Sequence, residues 1–197
     1  YANEIHSVMI GYKRGRFTGA IDSSGWTKDN PEKFNTLKDI SKYNELAFAK
    51  ANDEVYNKQK TFAESYVKPE HRMGIFSTYS ANRYHSGQST KMSFHVDSGD
   101  TEMGLTSMCV FREGDYDGAF LTFPRYNIAI DAPDNSVVIA DSLEVHDVTE
   151  ITGNGERFSC VAYMDNRLAT IGTAGKSEKL IGKYAAKTSG NLEEFMS

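Results

Sequence analysis

The region from residue 74 to residue 164 consists of short apolar or alternating segments separated by turn-forming residues. Short strands with closely spaced turns are typical of an antiparallel sandwich or barrel and not of βαβ units. We predict eight strands, at residues 74–84, 91–97, 105–112, 119–123, 126–130, 136–140, 145–151 and 157–164. The predicted fold class is α+β and mainly β, with a double-stranded β-helix, or jelly-roll, core.

The connections between these strands are predicted from glycine, proline, asparagine and aspartate, which favour turns. Residues 113–118 are expected to form a loop, and residues 153–155, where two glycines flank Asn154, a tight turn. The segment 136–140 is almost entirely apolar, so we expect a strand that is buried on both faces.

A helical pattern precedes the strands. Apolar residues recur at spacings of three and four, as on one face of a helix, at Leu37, Ile40, Tyr43, Ala47 and Ala51. Pro31 is suited to the first turn of a helix, and Pro69 ends the helical region. We predict two helices that are separated near Asn52 and that brace the sheet.

The length of 197 residues suits one domain with a sizeable core. Within it we expect an N-terminal strand and loop at residues 1–30 and supporting helices at 31–70. The jelly-roll core is expected at 72–168, and a C-terminal tail, with a short surface helix at 177–187, at 169–197.

The net charge of −5, from 22 basic and 27 acidic residues, is not that of a strongly basic nucleic-acid-binding domain. A local basic face can still bind phosphates on an acidic protein. Clusters of lysine and arginine at residues 13–16 and 176–187 offer such a face, and ordinary solvated lysines explain each cluster equally well.

Two features bear on the cellular setting. Cys109 and Cys160 both lie in apolar, strand-like segments, which indicates buried free thiols in place of a disulfide framework and favours an intracellular setting. No apolar run approaches the roughly 20 residues that span a bilayer, so we expect no membrane partner.

A candidate metal site begins at residues 93–97. Residues two apart on a strand point to the same face, so His95 and Asp97 are expected to project together. His146 lies in a later strand-like run, which a rolled sheet would bring to the first two residues. Two histidines and one carboxylate are the ligand set of non-haem Fe(II) oxygenases, although Zn²⁺ or Mn²⁺ would also accept these donors.

Arg157 and Ser159 lie two residues apart on the last predicted strand and share a face. A buried arginine requires an anion. In an iron oxygenase of this type the anion is the distal carboxylate of 2-oxoglutarate, which an Arg-x-Ser pair can bind. This pair favours 2-oxoglutarate over a cupin-like isomerase, which would use a similar metal site.

The sequence resembles two branches of the Fe(II)/2-oxoglutarate dioxygenases. Residues 81–97, with Asn82, Tyr84 and the His95–Asp97 pair, resemble the N-x-Y…H-x-D segment of the AlkB-like nucleic-acid oxygenases. Residues 118–124, His146 and residues 155–159 resemble the TET/JBP family instead, in its compact phage and microbial form. The spacing of Arg157 and Arg167 does not match the AlkB pattern, so the TET/JBP resemblance is preferred.

This resemblance implies roles for individual residues. It implies that His95, Asp97 and His146 are catalytic metal ligands for Fe(II) and that Arg157, Ser159, Asn82 and Tyr84 bind 2-oxoglutarate. Asp100 stands where the TET pattern H-x-D-x-x-N has an asparagine that touches the target cytosine. A carboxylate there can accept a hydrogen bond from the cytosine amino group, and it can equally cap a turn.

The resemblance implies a dioxygenase that uses O₂ to oxidise the 5-methyl group of a pyrimidine, foremost 5-methylcytosine, in DNA. The base of a methylated duplex would be flipped into the pocket. Two alternatives stay open. One is the same chemistry on an alkylated base, a protein side chain or a small molecule, and the other is a jelly-roll binding module without catalysis.

Overall fold

A computed structural model describes residues 6–14, 19–85 and 94–171 of the chain. The strands are β1 His6–Arg14, β2 Ile21–Ser23, β3 Thr78–His85, β4 Thr106–Gly118, β5 Leu121–Phe123, β6 Ile128–Ile130, β7 Ser136–Ala140, β8 Asp147–Val148 and β9 Ile151–Tyr163. The helices are α1 Gly25–Asp29, α2 Pro31–Ala51 and α3 Asp53–Tyr66, with short 3₁₀ turns at Pro69–His71, Pro124–Tyr126 and Asn166–Ile171. The predicted tail helix at 177–187 lies outside the described residues.

The strands form two antiparallel sheets. The large sheet has the order β2-β1-β3-β9-β4-β7, and the small sheet has the order β6-β5-β8. Side chains of both sheets line one cavity, Met108 and Val161 from the large sheet and Leu121 and Val148 from the small one. Two antiparallel sheets facing each other across a shared interior form the predicted jelly roll, and the mainly-β fold class is confirmed.

Helices α2 and α3 cover the large sheet on the side away from this cavity, as predicted. The Asn52 side chain separates them and caps α3 by accepting a hydrogen bond from the Val55 amide. Gln59 of α3 is fully buried and ties the helix to two loops, donating to the Ile75 carbonyl at 3.2 Å and accepting from the Leu105 amide at 2.9 Å. None of the described helices has the length and apolar composition that crossing a membrane requires.

Two apolar cores hold these layers together. The core between helices and large sheet is centred on Phe48 and Phe76, whose exposed fractions are 0%, and the core between the sheets is centred on Val110. Strand β1 belongs to the first core through Ile10 and pairs with β3 over six residues. The jelly-roll core was predicted to start at residue 72. The sheet already includes β1, because β1 pairs with β3, a strand that follows the helices.

The predicted loop at 113–118 and the predicted turn at 153–155 are wrong. These residues extend β4 and β9 and pair with each other, Gly114 with Gly155 and Tyr116 with Gly153. Gly114 and Gly153 have φ angles of 75° and 102° and lie where a Cβ would be 2.8 Å from a carbonyl oxygen of the partner strand. The glycines thus serve close approach of two strands, which the sequence pattern does not distinguish from a turn.

Other strand boundaries also differ. The predicted strand at 145–151 is reduced to Asp147–Val148, and Ile151 already belongs to β9. Residues 94–97 form one isolated bridge, at His95, in place of the end of a strand, and residues 91–93 lie outside the described part. Strand β7 is not buried on both faces, since it lies at the edge of the sheet and Val137 is 40% exposed.

Cys109 and Cys160 lie directly opposite each other on β4 and β9 as half-buried free thiols. Burial raises the pKa of both thiols, and that of Cys160 to about 12. Both groups are therefore neutral at physiological pH, which agrees with the predicted structural role.

Candidate active site

His95, Asp97 and His146 come together at one end of the cavity. Their ligand atoms all lie within 4.8 Å of one another, with 3.8 Å between His95 Nε2 and Asp97 Oδ1 and 3.7 Å between His146 Nε2 and Asp97 Oδ2. Two backbone hydrogen bonds of 3.0 Å join His95 and His146 directly. The sequence pattern predicted that a strand would place His95 beside Asp97 and that a rolled sheet would bring His146 to them. In the structure residues 94–97 are not a strand, and the backbone bridge brings His146 to His95.

The orientation of the His146 ring is set by its own loop. Its Nδ1 lies 2.8 Å from the backbone carbonyl oxygen of Glu144, which can only accept, so Nδ1 carries the hydrogen and donates it. Nε2, the other ring nitrogen, faces Asp97. A histidine held through its second nitrogen in this way is the usual arrangement of a metal ligand.

Asp100 holds the loop that carries Asp97 in place through side-chain hydrogen bonds. This residue is 6% exposed, and its Oδ2 accepts hydrogen bonds from the Ser142 hydroxyl at 2.5 Å and the Thr106 hydroxyl at 2.7 Å. Burial raises the pKa of Asp100 to about 7, and the two hydrogen bonds oppose the increase. Asp100 lines the cavity, where its predicted base contact would occur, and it also fastens the loop as a turn-capping residue would.

The cavity beside this cluster has a volume of about 550 Å³, within the usual range for small-molecule sites. All seven residues to which we assigned a metal or cofactor role line it, and so does Asp100: His95, Asp97, Asp100, His146, Asn82, Tyr84, Arg157 and Ser159. The pairing of β3 with β9 brings the four residues predicted to bind 2-oxoglutarate together, because Asn82 lies opposite Ser159, and Tyr84 opposite Arg157.

Arg157 is a buried cation without a compensating carboxylate. It is 2% exposed, and within the described part of the chain no carboxylate lies within salt-bridge distance of it. Its Nη1 has no hydrogen-bond partner among the described residues, while Nη2 contacts the sulfur of Met108 at 3.4 Å. Burial lowers the pKa of Arg157. A buried arginine that lines a cavity and has a nitrogen without a partner fits a ligand carboxylate, with Ser159 as a neighbouring hydroxyl.

Three further residues at or next to the cavity were not assigned any role from the sequence. Ser142, in the turn before His146, and Arg167, which follows β9, line the cavity. Asp165 also follows β9 and contacts the cavity only through its partner Arg167 and its bridge to Asp100. Asp165 is 1% exposed and pairs with Arg167 at 2.7 Å, and its backbone forms a bridge with Asp100. No spacing rule connects these residues with His95 or Asp97, so only the folded chain reveals them.

Comparisons with known proteins reveal similarity in sequence and in fold. No protein-family model matches the chain. The bifunctional helicase and thymine dioxygenase JBP2 of Trypanosoma brucei brucei is 31% identical over 103 residues. That alignment covers 50% of this chain and 9% of JBP2, so the chain matches only a small part of that protein.

The fold is shared with a solved structure, that of NgTET1 in complex with 5mC DNA. The match has a TM-score of 0.66 at 14% identity and covers 90% of this chain and 69% of NgTET1. An identity this low supports the fold alone, and the fold is the double-stranded β-helix predicted above. Together with the match to JBP2, it confirms the predicted resemblance to the TET/JBP family.

Proposed function

We propose that this chain, a relative of the TET/JBP proteins, is an Fe(II)- and 2-oxoglutarate-dependent dioxygenase that oxidises the 5-methyl group of a pyrimidine in DNA. One observation carries the proposal: the cluster of two histidines and an aspartate lines the same cavity as Arg157, a buried cation without a carboxylate partner among the described residues. The sequence match to a thymine dioxygenase supports this class of chemistry.

His95, Asp97 and His146 are the proposed iron ligands. Three ligands on one side of a metal leave positions open for co-substrates, as in other non-haem iron oxygenases. Iron and 2-oxoglutarate, when bound, supply the activation of O₂ for hydroxylation of a C–H bond. The chain contributes the Nε2 of His146, the Asp97 carboxylate and a backbone bridge that fixes the spacing of the two histidines.

Arg157 and Ser159 are the proposed partners of the distal carboxylate of 2-oxoglutarate, and Asn82 and Tyr84 lie opposite them on β3. The Arg157 charge has no other anion within reach among the described residues, so binding of the co-substrate would complete an ion pair that the cavity otherwise lacks. The apolar wall of Met108, Leu121 and Val148 would exclude water from the same space.

The proposed substrate is 5-methylcytosine in a DNA duplex, in agreement with the 5mC DNA in the NgTET1 structure. A base of a duplex enters an active-site cavity only when it is flipped out of the stack. Asp100 is the proposed contact to the base, where its carboxylate would accept from the cytosine amino group. Thymine, the substrate named for JBP2, lacks that amino group and is the main competitor.

The test uses protein loaded anaerobically with Fe(II) and incubated with 2-oxoglutarate, ascorbate and duplex DNA containing 5-methylcytosine. Digested nucleosides are measured by mass spectrometry, with His95→Ala in parallel. We expect hydroxymethyl, formyl or carboxyl cytosine that is lost in the variant. Succinate without a base product would reject the DNA substrate and keep the oxygenase. Neither product, with iron confirmed in the protein, would reject the oxygenase itself and leave a binding module.

A further inference from the structure

A second arginine lines the same cavity and differs from Arg157 in its exposure. Arg157 is 2% exposed, whereas the Arg167 side chain is 54% exposed. Arg167 therefore lies where the cavity opens to solvent, and Arg157 lies inside it. The site thus has an inner and an outer cation, and the function proposed above uses only the inner one.

The guanidinium of Arg167 is held in a fixed direction by Asp165. The Asp165 carboxylate accepts from Arg167 Nε at 2.8 Å and from Nη2 at 2.7 Å, in a fork-like pair. The Asp165 side chain is 1% exposed, while the Arg167 side chain is 54% exposed. The pair therefore presents the arginine and not the acid to solvent, and the hydrogen bonds to Asp165 raise the pKa of Arg167.

Backbone contacts hold the same segment against the loop of the proposed iron ligands. The Asn166 amide donates to the Gly99 carbonyl at 2.9 Å, and the Thr101 amide donates to the Met164 carbonyl at 3.0 Å. A Cβ on Gly99, two residues after Asp97, would lie 3.9 Å from Arg167 Nη2. Arg167 is thus fixed beside the entrance to the metal site. Because its side chain is already ordered, it would lose little conformational entropy when a ligand binds.

We propose that Arg167 binds a backbone phosphate of the nucleotide whose base enters the cavity, and that Asp165 is the residue that positions it. A flipped base brings its own phosphates to the rim of the pocket. A planar guanidinium suits phosphate because it donates two parallel hydrogen bonds. The net charge of −5 gives the protein no general attraction for DNA, so an oriented rim cation matters more than it would on a basic protein.

This inference rests on the proposed function, and its test separates the two. Binding of a fluorescent 5-methylcytosine duplex is measured at several salt concentrations, with Mn²⁺ and 2-oxoglutarate present, for wild type and Arg167→Gln. We expect a roughly tenfold weaker Kd in the variant. The slope of log affinity against log salt should fall in magnitude by about 0.9, the value for one phosphate contact.

The matched control is Arg83→Gln. Arg83 also pairs with a carboxylate, Glu156, at 2.7 Å and has a 49% exposed side chain. It alternates on β3 with Asn82 and Tyr84, which line the cavity, so it points to the opposite face of the sheet. This control should leave both Kd and the salt slope unchanged.

Removing Arg167 alone leaves Asp165 buried without its partner, which can unfold the protein. Two further variants address this problem. Asp165→Asn combined with Arg167→Gln removes the unpaired charge and should show the same loss of slope. Arg167→Lys keeps the charge and should retain the slope while binding less tightly than wild type, because lysine lacks the fork.

Three results would overturn the inference. Equal effects of Arg167→Gln and Arg83→Gln, in a protein that binds the duplex, would reject it and leave the proposed function standing. A change in preference between cytosine, 5-methylcytosine and thymine with an unchanged salt slope would assign Arg167 to the base edge instead. No DNA binding by the wild-type protein would reject the inference together with the DNA substrate.

Discussion

At the scale of single residues, Arg157 is the group whose surroundings are most informative. A buried charge without an opposite charge costs free energy, and the fold retains Arg157 in the cavity wall, where its Nη1 has no hydrogen-bond partner among the described residues. Binding of an anion would offset that cost. The residue therefore connects the stability of the protein with the presence of its proposed co-substrate.

The first prediction concerns Arg157→Met. We expect the ligand-free variant to be at least as stable as wild type, because an unpaired buried charge is replaced by an apolar chain of similar length. We also expect 2-oxoglutarate at 100 times its Kd to stabilise the Mn²⁺-loaded wild type by about 2.7 kcal/mol and the variant not at all. Thermal unfolding with and without 2-oxoglutarate measures both quantities.

Arg83→Met is the control for this measurement. It removes an arginine of the same sheet that does not line the cavity. The stabilisation by 2-oxoglutarate should be preserved in it. Equal stabilisation of Arg157→Met and wild type would show that the carboxylate is bound elsewhere.

The second prediction concerns how the free energy of unfolding depends on pH through Asp100. Its pKa is raised from the ordinary aspartate range to about 7 in the folded protein. The folded state therefore retains a proton that the unfolded state has lost between pH 4 and pH 7. Stability from this group is fully present below pH 4 and decreases as the pH rises to 7, by at most about 4 kcal/mol.

Asp100→Asn tests this dependence in metal-free protein. The amide oxygen can still accept from Ser142 and Thr106, so the contacts of Oδ2 are retained. We expect the free energy of unfolding to decrease less between pH 4 and pH 7 in the variant than in wild type, as measured by urea denaturation. Parallel pH profiles for the two proteins would contradict the assigned burial of the carboxyl group.

At the scale of elements, different interactions set the limits of the long strands β4 and β9 and those of helices α2 and α3. Helix limits followed from local signals, since Pro31 begins α2 and Asn52 caps α3. The extension of β4 and β9 through Gly114 and Gly153 followed from pairing between strands. Glycine signals a turn when a chain is read alone, and it allows close strand approach when a partner strand is present.

The third prediction is that the buried face of α2 contributes strongly to the free energy of unfolding, whereas its exposed face does not. Phe48 is fully buried and stacks on Phe76, with ring centroids 6.3 Å apart. Phe48→Ala should lower the free energy of unfolding by about 3–5 kcal/mol. Leu46→Ala is the matched control on the same helix, since Leu46 is 65% exposed, and it should change stability by no more than about 0.5 kcal/mol.

Urea denaturation measures both variants. A small effect of Phe48→Ala would mean that α2 does not brace the sheet, contrary to the contact between Phe48 and Phe76. Because these contacts lie on the far side of the sheet from the cavity, binding of Mn²⁺ to the folded fraction should be retained.

At the scale of the whole molecule, the proposed metal site joins parts of the chain that are distant in sequence. His95 and Asp97 lie before β4, and His146 lies in the turn before β8. A metal ion bound by all three would bind the folded state and not the unfolded chain. Its binding free energy is therefore added to the free energy of unfolding of the molecule.

The fourth prediction follows from this coupling. Mn²⁺ at 100 times its Kd should stabilise the wild-type protein by about 2.7 kcal/mol, and His95→Ala should lose this increment. His71→Ala removes a histidine outside the cluster and should retain it. Thermal unfolding with Mn²⁺ and with a chelator measures the increment. An unchanged increment in His95→Ala would place the metal elsewhere.

The sequence by itself determined the features that depend on neighbouring residues: the limits of α2 and α3, the mainly-β class, and the side chains suited to bind iron and 2-oxoglutarate. Such features follow from local backbone preferences and from the ligand atoms of the side chains, and both are properties of the residues themselves. Only the tertiary structure decided the pairing of β1 with β3, the bridge between His95 and His146, and the placement of Arg167, held by Asp165, at the cavity rim. These depend on contacts between residues far apart in the chain, and no local pattern encodes which partner a strand or a loop will meet.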